Sequence, residues 1–283
     1  MFRENLGLLY DIQEIDALSL LVLAKILQIS TAKIKAFPEL ELTTAQSERI
    51  ENILTQLQTG KPVQYILGYT EFYGLPFKVN PSVLIPRPET EELVEWIITS
   101  IGSLQLAVGG EQLTKSTLDI GTGSGCIAIT LKKFLPDRTV SAIDISPEAV
   151  QTAKENAELN NVKVNFIQAD ILNIKSEIEN PKFDIIISNP PYVTLKDKQQ
   201  MHTNVTDFEP HGALFVPEDD PLIFYKAIAD FAIKNLTKDG LLFLEINENL
   251  GTETVDILQN KGFKNVELRK DMSGKNRMIK ASV

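Results

Sequence analysis

Cysteine, histidine, tryptophan and positive charge are all scarce in this chain. Its single cysteine, Cys126, excludes an internal disulfide. Cys126 falls at the start of a helix candidate, where buried packing explains it better than redox chemistry. The two histidines, His202 and His211, share one polar loop. None of these side chains is placed as a nucleophile, and the chain calls for no metal. No apolar run reaches about eighteen residues and no signal-peptide pattern opens the chain, so it reads as soluble and cytoplasmic, with no membrane partner. Lys and Arg number 28 against 38 Asp and Glu, a formal charge of −10. A surface that tracks nucleic-acid phosphates is basic, so the balance argues against direct nucleic-acid binding. What is present is ordinary globular material: 283 residues, 43% of them hydrophobic, enough for one large domain or two modest ones.

The most informative segment is Asn189-Pro190-Pro191-Tyr192, directly after Phe183-Asp184-Ile185-Ile186-Ile187-Ser188. The β-branched, apolar run reads as a buried strand. Two successive prolines fix φ and remove two N–H donors, leaving carbonyls as the dominant backbone function. An amide side chain, a rigid carbonyl and an aromatic ring then converge where the strand emerges. Such a pocket suits a planar group whose nitrogen must be oriented: an amide, or the amino group of a base. A bare Asn-Pro-Pro can also be a simple strand terminator, so the reading depends on a second motif.

That motif is Thr117-Leu118-Asp119-Ile120-Gly121-Thr122-Gly123-Ser124-Gly125-Cys126, a short apolar strand running into a glycine turn. A helix follows it, with Ile127, Ile129, Leu131 and Phe134 as apolar positions and Pro136 as its end. The next strand, Thr139 to Ile143, ends in Asp144, nineteen residues after Gly125. At roughly this spacing a second-strand acid meets ribose hydroxyls. A dinucleotide fingerprint would need glycine where Cys126 stands. The alternating glycines and the acids Asp119, Asp144 and Asp170 disfavour a pyrophosphate. They suit a ligand with an amino group, a sulfonium and a ribose, as in S-adenosylmethionine.

The rest of the chain supplies the frame. Residues 15–29 read as a core helix of a small bundle. A second helix begins at Thr43 with a Thr43–Gln46 capping box, buries Ile50, Ile53, Leu54 and Leu57, and stops at Gly60 and Pro62. Two short strands flank a turn at Gly74-Leu75-Pro76. A helix begins near Glu89, and Gly109-Gly110 falls in a polar loop. Strand and helix then alternate: a helix over 147–159, a strand over 162–168 ending at Ala169-Asp170, a helix over 221–236 and a strand over 241–246. Strands at 264–268 and 277–281 lie too close for a helical crossover and predict an antiparallel hairpin. The fold class is therefore α/β: a doubly wound, mostly parallel sheet with an antiparallel C-terminal pair, plus a helical N-terminal domain. Expected boundaries are 1–70 for a helical bundle, 71–88 for a β-hairpin linker and 89–283 for the catalytic domain. Residues 193–220, long and poor in apolar anchors before Phe208, are expected to form a lid that orders over a bound substrate.

Together these motifs resemble the PrmC/HemK family, protein-(glutamine-N5) methyltransferases of peptide chain release factors. The resemblance runs through residues 62–68, Glu71-Phe72-Tyr73-Gly74, Ile85-Pro86-Arg87-Pro88-Glu89-Thr90-Glu91 and the glycine loop. It continues through Asn189–Tyr192, Phe208-Glu209-Pro210 and residues 271–277. It implies a seven-stranded class I methyltransferase (Rossmann-like) sheet. It also implies a cofactor site for S-adenosylmethionine made by Gly121, Thr122, Gly123, Ser124, Gly125, Asp144, Asp170, Ile171 and Asn189. Asn189, Pro190, Pro191 and Tyr192 would receive a glutamine, with Asn189, Pro190 and Tyr192 as the catalytic set. The expected partner is a release factor, acted on by a monomer through docking at the N-terminal bundle. Asn-Pro-Pro-Tyr also fits enzymes that methylate amino groups of nucleic-acid bases. Two positions depart from the family pattern: Ile171, where an aromatic often follows the acid, and Asn247, where glycine often follows Glu-Ile.

Overall fold

The structure is a computed structural model, and it describes residues 1–37, 39–107, 115–174 and 182–283. The Gly109-Gly110 loop lies outside the described residues. The chain divides into two compact units.

The first unit holds Met1–Tyr69 together with His202–Phe208. Its helices are α1 (Phe2–Leu6), α2 (Ile12–Leu27), α3 (Thr31–Ala36), α4 (Thr44–Leu57) and α5 (Val63–Leu67), with a single helical turn at Thr203–Thr206. Helix α2 starts earlier than its apolar run because the Asp11 carboxylate caps it, accepting from the Glu14 N–H at 2.8 Å. Helix α4 begins with the Thr43–Gln46 capping box. The apolar face of α4 packs Ile50, Ile53, Leu54 and Leu57 on Val22 and Ile26 of α2 and on Leu6. Such burial contributes roughly 1.5–3 kcal/mol per large side chain.

The second unit holds Thr70–Met201 and Glu209–Val283. A hairpin of β1 (Tyr69–Phe72) and β2 (Leu75–Lys78) precedes α6 (Pro88–Ala107). The main chain then runs β3 (Ser116–Ile120), α7 (Cys126–Phe134), β4 (Thr139–Asp144), α8 (Pro147–Leu159), β5 (Asn165–Gln168) and β6 (Phe183–Ser188). Single-turn helices α9 (Leu195–Lys198), α10 (Thr203–Thr206, counted with the first unit) and α11 (His211–Leu214) lead to α12 (Ile223–Asn235). Strand β7 (Leu236–Glu245), α13 (Gly251–Asn260), β8 (Lys264–Lys270) and β9 (Asn276–Ser282) complete it.

Among the described residues the main sheet has seven strands in the order β5-β4-β3-β6-β7-β9-β8. Pairing is parallel from β5 to β7, and β9 runs antiparallel between β7 and β8. Alternation along β6 divides its side chains between two layers. Ile186 faces a core shared with Tyr225, Ile228 and Ala232 of α12 and with Leu258 of α13. Ile185 and Ile187 face a core shared with Leu93 and Ile97 of α6 and with Ile127 and Leu131 of α7. The chain builds outward through β3, β4 and β5, then returns to place β6 on the other side of β3. Ligands bind at such a reversal, beyond the carboxyl ends of the strands.

The opposite ends of these strands are fixed by a buried ion pair. Arg138 Nη2 meets Asp184 Oδ2 at 3.1 Å, and the Arg138 Nε–H donates to Thr117 Oγ1 at 2.9 Å. Burial lowers the Arg138 pKa and the neighbouring Asp184 opposes that shift. The pair ties the residue that leads into β4 to Thr117 of β3 and Asp184 of β6. Removing one partner strands the other charge in the interior, which costs about 3–5 kcal/mol. Arg138→Met should therefore lower unfolding stability by that amount in urea titration, and Arg138→Met with Asp184→Leu should regain part of it. A single variant within about 1 kcal/mol of the parent would show that the pair is dispensable.

Candidate active site

A cavity of about 550 Å³ opens at the carboxyl ends of β3, β4, β5 and β6. This is the size range of a small-molecule site. Gly121, Thr122, Gly123 and Ser124 form one wall, and Asp144, Asp170 and Ile171 form another. Asn189, Pro190 and Pro191 line the side next to β6.

The three glycines of the loop do different jobs. All have positive φ, at 72° for Gly121, 54° for Gly123 and 82° for Gly125. A Cβ at Gly121 or Gly123 would meet no protein atom within 4 Å. These two leave bare backbone beside the cavity, in space that a ligand can use. A Cβ at Gly125 would lie 2.8 Å from Ile129 Cδ1 and 3.1 Å from Ala153 Cβ. Gly125 thus permits α7 to pack on α8, and it does not line the cavity. Beneath the loop, Asp119 is fully buried and accepts from Thr122 Oγ1 at 2.6 Å. Burial pushes its carboxyl up to about 7, against the opposing Thr122 and Ala128 hydrogen bonds.

Asp144 is held by the same loop. Its Oδ2 accepts from the Gly123 N–H at 2.8 Å and its Oδ1 from the Ser146 N–H at 3.0 Å. The carboxylate keeps acceptor capacity for a ligand hydroxyl. Burial raises the Asp144 pKa, and these backbone donors oppose the rise. Asp170 caps the turn Ile171–Asn173, its Oδ1 accepting from the Leu172 N–H at 2.9 Å. Ile145, Ile171 and Leu172 add an apolar wall. Acids for hydroxyl and ammonium groups, bare backbone and an aliphatic slab together fit S-adenosylmethionine.

On the other side, Asn189 Nδ2 donates to Thr90 Oγ1 at 3.1 Å. The Thr90 hydroxyl donates to Glu245 Oε2 at 2.7 Å, and Tyr192 Oη donates to Glu245 Oε1 at 3.0 Å. Glu245 is 1% exposed. Burial raises its pKa, while the Thr90 and Tyr192 bonds and the Arg277 charge pull it down. The Tyr192 phenol is pushed far up by its own burial and by Glu245, so it stays a donor. Neither Thr90 nor Glu245 stands out in the sequence as a site residue. Two signals mark Glu245: like Asp144 it is a carboxylate ending an apolar strand, and with Ile246 it forms the Glu-Ile pair of the family pattern.

A second cavity, about 270 Å³, adjoins the first. Leu84, Arg87, Asn189, Pro190 and Ala213 line both. Tyr192 lines only the second, beside Asp197, Asn247 and Arg277. The segment expected to be a lid is built into this wall. A Thr194–Asp197 capping box starts α9, and Val193 bridges Phe215. Asn247 Nδ2 donates to the Tyr192 carbonyl at 2.9 Å and to Asp197 Oδ2 at 2.8 Å. The buried Glu209 accepts from Arg87 Nη2 at 2.6 Å and from the Ile85 N–H at 3.2 Å. Polar anchors hold this stretch where apolar ones are few.

The chain is similar to known proteins along its whole length. The family model for the PrmC N-terminal domain matches residues 9–68, and that for the Methyltransferase small domain matches residues 102–209. A protein named release factor glutamine methyltransferase from Flavobacterium psychrophilum is 47% identical over 281 residues, covering 99% of this chain and 96% of its own length. One of the same name from Bacteroides thetaiotaomicron is 41% identical over 280 residues, covering 99% and 97%. The crystal structure of a methyltransferase from Pyrococcus furiosus aligns over 85% of this chain and 98% of its own, with a TM-score of 0.50 and 18% identity, a likeness of fold. Identity of this extent over essentially the whole of both sequences places the chain in the release factor glutamine methyltransferase family.

Proposed function

We propose that the chain transfers a methyl group from S-adenosylmethionine to the side-chain amide nitrogen of the glutamine in the Gly-Gly-Gln motif of peptide chain release factors. One observation carries this reading: Asn189 and Pro190 line both cavities. The larger cavity suits the cofactor, and the smaller suits a glutamine side chain entering from the protein surface. The reacting atoms would meet at the wall the two cavities share.

In this reading Gly121, Thr122, Gly123 and Ser124 hold the amino-acid end of the cofactor, Asp144 its ribose hydroxyls, and Asp170 and Ile171 the edge and face of its base. Bound there, the cofactor supplies an electrophilic methyl. An amide nitrogen is a poor nucleophile because its lone pair is delocalised into the carbonyl. Asn189 Oδ1 and the Pro190 carbonyl accept its two hydrogens, aim the lone pair and stabilise positive charge as it develops. Orientation of this kind can contribute roughly 7–11 kcal/mol. Pro191 keeps the Pro190 carbonyl rigid, and Tyr192 walls the amide pocket. No strong base is needed, because the nitrogen becomes acidic once it carries the methyl.

The remaining assignments follow from the substrate. Residues 1–70 act as a docking module, 71–88 as a linker and 89–283 as the catalytic domain of a monomer. A translation factor as substrate places the reaction in the cytoplasm. Among the described residues no helix is long and apolar enough to cross a membrane. The net charge of −10 disfavours a nucleic-acid substrate.

Mass spectrometry of a release factor incubated with enzyme and cofactor should find one added methyl, on the glutamine of Gly-Gly-Gln. Label appearing in RNA or DNA instead would overturn the assignment. Two variants separate chemistry from cofactor binding. Asn189→Ala should lower kcat by about 10²–10³-fold, while cofactor affinity, read by isothermal titration, falls far less than in Asp144→Ala. Asp144→Ala should weaken cofactor affinity by about 10- to 100-fold, the loss of a hydrogen bond to a charged group. Equal effects of the two on both measurements would contradict the division of roles.

A further inference from the structure

Asn and substrate amides can be read in two orientations, and this structure holds one of them. Thr90 Oγ1 carries a single proton, which it gives to Glu245 Oε2 at 2.7 Å. Its remaining capacity at that oxygen is as an acceptor. The group it accepts from is Asn189 Nδ2, at 3.1 Å. The other oxygen of Glu245 takes the single Tyr192 proton at 3.0 Å. Turning the Asn189 amide over would set Oδ1 against the lone pairs of Thr90, losing one hydrogen bond and adding a repulsion. The polarity of the chain Tyr192–Glu245–Thr90–Asn189, beyond the mere position of its members, therefore fixes which end of Asn189 serves the cavity wall.

The arrangement is buried. Thr90 is 2% and Glu245 1% exposed. Thr90 sits in the first turn of α6, and Glu245 ends β7, where the Ser188–Leu244 register sets it beside the Asn189 tetrad. Both ends of that tetrad, Asn189 and Tyr192, are tied to the one carboxylate.

We propose that Thr90 and Glu245 are positioning residues that present Asn189 Oδ1 to the substrate, and that they thereby make the site select a side-chain amide over a carboxylate. The inference rests on the reading of Asn189 given under Proposed function. An exposed Oδ1 accepts from an amide N–H and repels a carboxylate oxygen. If Asn189 were free to turn, Nδ2 would welcome the carboxylate, and discrimination between glutamine and glutamate would shrink.

The test compares a release factor with its own Gln→Glu variant at Gly-Gly-Gln, using the full-length enzyme. Methyl transfer gives kcat on the first, and isothermal titration in the presence of S-adenosylhomocysteine gives the affinity of both. The parent should bind the glutamine form more tightly. Thr90→Val keeps the shape but not the hydroxyl. It should lose about 10²-fold in kcat and narrow the glutamine-to-glutamate affinity ratio by about tenfold. Thr90→Ser, which keeps the hydroxyl, should restore both. If Thr90→Val does not fold, Thr90→Ala carries the same two readouts. A Thr90→Val enzyme that weakens both release factors by one factor, with the ratio unchanged, would reduce Thr90 to a structural role and overturn the inference. A parent that methylates no release factor would instead overturn the functional reading.

Discussion

Ile120 and Ser188 face each other across the ladder between β3 and β6, and the Ser188 hydroxyl donates to the Ile120 carbonyl at 2.7 Å. That pairing sets the geometry of everything at the rim. One residue beyond Ile120 the glycine loop begins, and one residue beyond Ser188 stands Asn189. A cofactor loop and an amide-reading side chain, far apart in sequence, are thus brought side by side by one parallel register. A slip of one residue would turn every side chain of β6 to the wrong face. The dense packing of Ile185, Ile186 and Ile187 on both layers guards against it.

The rim is built from carboxylates that burial would otherwise neutralise, and each is supported according to its place. Asp144 is held by backbone N–H groups of the loop it helps to shape. Asp119, deeper, is pushed up to about 7 by burial, and the hydrogen bond it accepts from Thr122 opposes that rise. Glu245 accepts hydrogen bonds from the Thr90 and Tyr192 hydroxyls and orders the tetrad. Buried polar groups of this kind cost stability unless they are satisfied. Their concentration at one end of the sheet marks where this chain gives up packing for chemistry.

Much of this was legible in the sequence, for physical reasons that can be named. The run Phe183–Ser188 is apolar enough to be a strand buried on both faces, and Pro190-Pro191 must end it. Strand-turn-helix patterning places Asp144 and Asp170 at strand ends without any tertiary information. The close spacing of β8 and β9 allows only an antiparallel pair. What stayed hidden depends on contacts between distant residues. Thr90 and Asn189 are 99 positions apart, and Thr90 and Glu245 are 155. Nothing local marks them as partners. The stretch after Tyr192 reads as a lid because its apolar anchors are few; the polar pairs that hold it, Asp197 on Asn247 and Glu209 on Arg87, have no periodicity to show in the sequence. Gly125, read with its neighbours as part of the cofactor cradle, also lets α7 pack on α8, which only the position of Ala153 reveals.

The central claim is that the shared wall of the two cavities, Asn189 and Pro190, holds the acceptor nitrogen. Its most direct test is a crystal structure with S-adenosylhomocysteine and a release-factor peptide containing Gly-Gly-Gln. The account predicts the glutamine nitrogen within about 2.7–3.2 Å of both Asn189 Oδ1 and the Pro190 carbonyl, with the cofactor sulfur across the wall in the larger cavity. A glutamine amide seated against neither group would contradict it.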